Sequence, residues 1–251
     1  MAAQRKLQEA VAAFPKAIKI DPGNATYLNN LAEALFRLDE GKESIAHYRR
    51  AVQLEPANAS ILVNLGFTMR QLGRFEEAVI AYRKAIELDP DSSKGHIGYF
   101  NTMAKLGKLN EAIVEYRSAL EQNPNNPIIR VHLGCALANT GRHEEALTEY
   151  QKTIYLKPKY RLARQGYLKT LTNLVRRKVK EKNISEAAEY YLSALQLDFD
   201  LSFQKRILRS AREFDGVAEK IHELAPENHL IRFELSPQAE DNEPAPQEPA
   251  S

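Results

Sequence analysis

Six histidines, one cysteine and two pairs of neighbouring glutamates are the side chains through which this 251-residue chain could do chemistry. A bound metal needs imidazole, thiolate or carboxylate ligands that converge at short spacings. His47, His96, His132, His143, His222 and His229 do not cluster in that way, so no metal is expected. Cys135 could act as a thiolate nucleophile, but a lone cysteine reads first as a small apolar residue. Glu76-Glu77 and Glu144-Glu145 could form an acid–base pair. At helix starts they would instead complement the positive end of the helix dipole, which is the better reading. There is no phosphate-cradling GxxxxGK(S/T), no GxGxxG, no HExxH and no CxxC. The chain is therefore expected not to be an enzyme and to need no cofactor.

Charge offers a second kind of chemistry. Arg176, Arg177, Lys178, Lys180 and Lys182 could touch the phosphates of nucleic acid or of an anionic membrane surface. The plainer reading is a solvated helix end balanced by Glu181 and Glu186. The net charge of +2 is uneven, because Ser236–Ser251 contributes −4 and everything before it +6. That tail, with four prolines, four acidic residues and no aromatic, reads as disordered. A single cysteine rules out an intrachain disulfide framework and favours a reducing compartment. No apolar run approaches a membrane span and the N-terminus lacks a signal-peptide core, so a cytoplasmic location is expected.

The elements that would position any site follow from the stretch Ala59–Pro90. Leu62, Leu65, Met69 and Leu72 recur at three- and four-residue spacings, which predicts an amphipathic helix over about 59–71. Gly73 stops it. A second helix carries Glu76 and Glu77 in its first turn and the stripe Ala78, Tyr82, Ala85 and Ile86, and Pro90 ends it. Small Gly66, Ala78 and Ala85 let the two backbones approach. The pattern has a period of 34: Pro22, Pro56, Pro90, Pro124 and Pro158 keep it, as do Gly73, Gly107 and Gly141. Asn24, Asn58, Ser92 and Asn126 keep the same step as helix N-caps.

This pattern resembles the tetratricopeptide repeat family in its period and in its small, aromatic and proline slots. The slots are Leu65, Gly66, Met69, Ala78, Tyr82, Ala85 and Pro90, repeated as Leu133, Gly134, Leu137, Ala146, Tyr150, Thr153 and Pro158. The resemblance covers about residues 5–201. It implies an all-α fold, an α-solenoid of helix-turn-helix repeats wound as a right-handed superhelix.

The expected organisation is a half repeat or cap over 1–24, full repeats over 25–58, 59–92, 93–126 and 127–160, and a fifth over 161–201. Capping helices over 202–235 and the tail 236–251 follow. Pro15 is expected to kink or break the first helix. Asp39, where later copies have glycine, should make its turn less regular. The stop of the fifth repeat comes 41 residues after the previous one, so its first helix, from about Tyr160, should be two turns longer and project with the basic residues. The C-terminal cap is expected to be one helical pair.

In the family, one face of each first helix lines a concave groove for extended peptides or partner helices. By register that face consists here of Asn29, Asn30, Glu33 and Arg37, then Val63, Asn64, Phe67 and Arg70. It continues through Lys94, Ile97, Asn101 and Lys105, then Ile128, Val131, His132 and Cys135, and ends at Gln165 and Lys169. Amides such as Asn64 and Asn101 could pair with a peptide backbone, and Phe67 and Val131 could form anchor pockets. Against this, Val63, Phe67, Ile97 and Val131 could simply pack between adjacent first helices. A carboxylate clamp of the kind found in tetratricopeptide co-chaperones would fit Asn64 and Lys94 but not Asn29, Glu33 or Gly98. The asparagine ladder of O-linked N-acetylglucosamine transferase would match Asn30 and Asn64 but not Gly98, His132 or Gly166.

The implied function is a non-catalytic scaffold or adaptor that binds a protein or peptide partner. The alternatives are a regulatory or substrate-recruiting segment of a larger enzyme and, less favoured because the groove centre is apolar, an RNA-binding helical repeat. Self-association stays open.

Overall fold

The structure is a computed structural model that describes residues 2–197 and 199–235. Every regular element among them is helical. The tail 236–251, Asp198 and Met1 lie outside the described residues. Two compact units divide the chain, one ending at Ala136 and the other beginning at Leu137.

In the first unit α1 (Ala2–Ile20) packs on α2 (Ala25–Arg37), which pairs with α3 (Gly41–Leu54). The pairs α4 (Ala59–Gln71) with α5 (Phe75–Leu88) and α6 (Ser93–Lys105) with α7 (Leu109–Gln122) follow. Helix α8 (Pro127–Asn139) begins in this unit. First helices of successive repeats also touch, α2 against α4 and α4 against α6. Local chemistry sets the ends. Asn24, Asn58 and Ser92 accept from the backbone N–H of Tyr27, Ile61 and Gly95, respectively, each at 3.3 Å. Asn126 accepts from Ile129 N at 3.1 Å. These are the donors a helix start leaves unpaired.

Tyrosine against glycine sets the close approach of the helices. Tyr82 is 1% exposed. A Cβ at Gly66 would stand 3.1 Å from its ring, and one at Gly98 would fall within the ring's van der Waals envelope. One side chain of α5 is thus seated against the backbones of two successive first helices. Between successive second helices, Arg49 reaches Glu77 at 2.8 Å and Arg83 reaches Glu115 at 2.6 Å, which straps α3 to α5 and α5 to α7.

In this unit the break at Pro15 does not occur and the turn at Asp39 is regular. Helix α1 runs through Pro15 unbroken. Pro15 is on the exposed side, where water can take the bond that the ring denies to the preceding turn. Asp39 does not loosen its turn. It adopts φ +67°, beside +75° at Gly73, and Glu40 N bonds Leu35 O at 2.9 Å as Arg74 N bonds Met69 O at 2.9 Å. Aspartate tolerates the left-handed region better than most residues, at a cost. Asp39→Gly should therefore raise stability by about 0.5–1 kcal/mol. Urea unfolding checks this, and a lower midpoint would show that Asp39 contributes something beyond the turn.

In the second unit α9 (His143–Leu156) packs on α10 (Arg161–Lys180), α10 on α11 (Ile184–Leu195), and α12 (Leu201–Ala211) on both. Helix α13 (Val217–Leu224) lies against α11, and α14 (His229–Glu234) against α12. Helix α10 has 20 residues where α4 has 13. Its additional turns begin packed, with Leu174 and Val175 0% exposed, and end exposed at Arg176, Arg177 and Lys180. The apolar side of α10 stays covered because α11 and α12 continue the packing past the repeat boundary. The C-terminal region also exceeds the expected pair: Asn228 caps a third helix, α14. Among the described residues no helix is long and apolar enough to cross a membrane.

Candidate functional site

The first unit carries the best-formed part of the predicted face. Asn64 Nδ2 donates to Asn29 Oδ1 at 3.1 Å, and Asn29 Nδ2 donates to Asn30 Oδ1 at 3.1 Å. Three amides on α2 and α4 thus form a relay. Beside it Glu33 and Arg37 pair at 2.6 Å. Phe67, one turn beyond Asn64, is 40% exposed, lies edge-on to Phe36 at 5.6 Å between centroids, and has the Arg70 guanidinium 5.5 Å from its ring centroid. On α6, Ile97 is 45% exposed, and Lys94, Asn101 and Lys105 are exposed.

The deeper part of the predicted face is core. Val63 is buried, Val131 is 0% exposed and His132 is 2% exposed, while Ile128 and Cys135 are half-buried. Val131 cannot form an anchor pocket, because packing between helices consumes its whole side chain. For Val63 and Val131 the packing reading holds, whereas Phe67 and Ile97 remain in contact with solvent.

His132 belongs to an aromatic cluster. It stacks on His96 at 5.6 Å with ring planes 13° apart, and Tyr116 and Phe100 each lie 6.3 Å from it. Neither His132 nitrogen has a hydrogen-bond partner. Burial, with the His96 charge adding to it, presses its pKa down to about 3. His96 is lowered too, by burial, against a pull upward from the Pro90 carbonyl and from Asp91 and Asp89. Because a carbonyl only accepts, the His96 Nε2–Pro90 O contact of 3.0 Å fixes the proton on Nε2. His96, Tyr99 and Tyr116 line a cavity of about 510 Å³ between α5, α6 and α7. The sequence carries a signal for it: by register His96 and Tyr99 replace Leu62 and Leu65, and Phe100 replaces Gly66.

In the second unit Gln165 and Lys169 are exposed on α10. With Thr172, and with Arg206 and Glu213 beyond them, they line a cavity of about 270 Å³. The last three residues were missed because they lie outside the family's slots.

Three of the five residues of the basic run have partners within the second unit. The Arg176 guanidinium sits 5.6 Å from the Phe214 ring centroid. Arg177 pairs with Glu144 at 3.2 Å, and Lys178 with Glu186 at 2.8 Å and Glu181 at 3.4 Å. Lys180 is exposed, and Lys182 takes φ +58° in the turn after α10. Three of the four glutamates in the two neighbouring pairs, Glu77, Glu144 and Glu145, are ion-paired likewise. Glu77 meets Arg74 and Glu145 meets Arg142, each at 2.6 Å, and the Arg74 hydrogen bond leads in holding the Glu77 carboxyl below its usual range. Among the described residues no group of His, Cys, Asp and Glu is placed to hold a metal ion.

Family models described as tetratricopeptide repeat match residues 23–91 and 129–160, and one described as TPR repeat matches 101–141. No curated protein matches the chain. Among solved structures, it is similar to YrrB, titled a TPR protein with an unusual peptide-binding site. The identity is 23% over 77% of this chain and 96% of that one, with a TM-score of 0.46. It is also similar to MamA from Desulfovibrio magneticus RS-1, at 18% identity over 69% and 94% with a TM-score of 0.45. Pseudomonas aeruginosa pilF is 22% identical over 82% and 90%, with a TM-score of 0.49.

Proposed function

This chain belongs to the tetratricopeptide repeat family, and from that premise we propose that it is a non-catalytic interaction scaffold holding an extended peptide on the first-helix face of α2, α4 and α6. The observation that carries this reading is the amide relay Asn64–Asn29–Asn30 next to the half-exposed ring of Phe67. A peptide main chain offers alternating donors and acceptors, and an amide side chain can match one of each. Hydrogen bonds within the relay hold those amides in place before a partner arrives, so less rotamer freedom is lost on binding. Phe67, supported from below by Phe36, supplies the flat apolar contact where interface affinity concentrates. Lys94 and Lys105 give the face a positive edge, which favours acidic residues in the peptide.

The test is selection of displayed random peptides on the full chain, followed by fluorescence polarisation with the peptides recovered. Phe67→Glu should weaken binding by about 10-fold or more, and Asn64→Ala by about 3- to 10-fold. Circular dichroism should show both variants as helical as the wild type. Recovered peptides that bind Phe67→Glu and the wild type alike would refute a site on this face. Charging Val131 is no substitute, because a carboxylate at that buried position would unfold the unit.

A further inference from the structure

We propose that α14 is a displaceable internal ligand, and that the face of α12 it covers takes in its place a short acidic peptide with an aromatic residue next to a carboxylate. Glu234, the last residue of α14, is 0% exposed. Its Oε2 accepts from Arg209 Nε at 2.9 Å, and Lys205 Nζ stands 3.2 Å from Oε1. Arg212 Nη2 donates to the Glu234 carbonyl at 2.7 Å. Lys205 Nζ also sits 5.3 Å from the centroid of the Phe233 ring. The pair Phe233-Glu234 is thus gripped by cations from one helical face, through charge-assisted hydrogen bonds and a cation–π contact.

The hold is slight. Helix α14 has six residues, too few to stay helical alone. Only Ile231 and Glu234 in it are buried. Despite Lys205, Glu234 Oε1 has no well-aligned hydrogen bond, so the grip on the carboxylate is incomplete. A helix that served only to cover its neighbour would bury an apolar stripe; this one buries a carboxylate beside the single apolar Ile231. Next to it, an open cavity of about 700 Å³ lies along α12 at Leu201, Ser202 and Arg206. A longer peptide than α14 would find both space and positive charge there.

The test adds a fluorescein-labelled peptide of residues 229–241, HLIRFELSPQAED, to the full chain at low salt. The Glu234→Gln chain should bind it at least about 10-fold more tightly than the wild type, because the internal competitor has been weakened. The same peptide with Gln in place of its glutamate at 234 should lose that gain, and Lys205→Glu in the chain should abolish binding. Hydrogen exchange on the unmodified protein gives a reading that needs no variant: α14 amides should exchange on the order of 100-fold faster than those of α12. Equal affinity of the two chains, no binding to Glu234→Gln at millimolar peptide, or an α14 as protected as α12 would each overturn the proposal.

Discussion

Lowering the pH from 7 to 5 should cost the first unit about 2 kcal/mol through His132 alone. The unfolded chain takes up a proton near the ordinary value of 6.5, whereas folded His132 does so only near 3. Between those values the unfolded state binds more protons, so stability falls as pH falls, by about 1.4 kcal/mol per unit. The loss starts at about pH 6.5 and continues toward 3. At 2% exposure there is little solvent to relieve it. His96 is shifted in the same direction and adds to the effect. Most carboxylates stay ionised down to pH 5, so this upper window isolates the imidazoles. Urea unfolding at pH 7, 6 and 5 measures it, and His132→Gln should flatten the dependence. If wild type and variant lose stability in parallel, the buried ring pair is not the cause.

Gly98→Ala should destabilise the first unit by about 1–3 kcal/mol. Helix propensity alone predicts the opposite, a gain of roughly 1 kcal/mol for replacing a mid-helix glycine. Geometry decides between them. The new methyl would overlap the Tyr82 ring, which is 1% exposed and seated against both α4 and α6. Gly95 provides the contrast on the same helix: its Cβ would stand 3.3 Å from the flexible Ile86 side chain. Gly95→Ala should therefore be close to neutral. Differential unfolding of the two variants checks the argument, and equal effects would mean that the Tyr82 wedge is not tight.

What was legible in the sequence is what neighbours along the chain determine. Asn58 as a cap, Gly73 as a stop and the 34-residue step all act within a few residues, so the helix ends could be placed directly. The side on which Val131 and His132 face depends on contacts made by the whole first helix, and a slot pattern borrowed from the family could not separate groove from core there. The basic run was legible in part: Glu181 and Glu186 pair with Lys178, as the plainer reading has it, while its other partners are distant in sequence. Those are Glu144, 33 residues before Arg177, and the ring of Phe214, neither of which periodicity brings to mind. Asp39 shows the opposite limit: the slot demanded a conformation, and a second residue type could supply it.

The straps Arg49–Glu77 and Arg83–Glu115 have a mechanical consequence. Each is about half exposed and adds no more than about 1 kcal/mol to stability. They nevertheless link successive second helices, α3 to α5 and α5 to α7. Salt screens such pairs within a Debye length of about 8 Å at physiological ionic strength. Successive second helices of the first unit are thus held to one another less firmly at high salt.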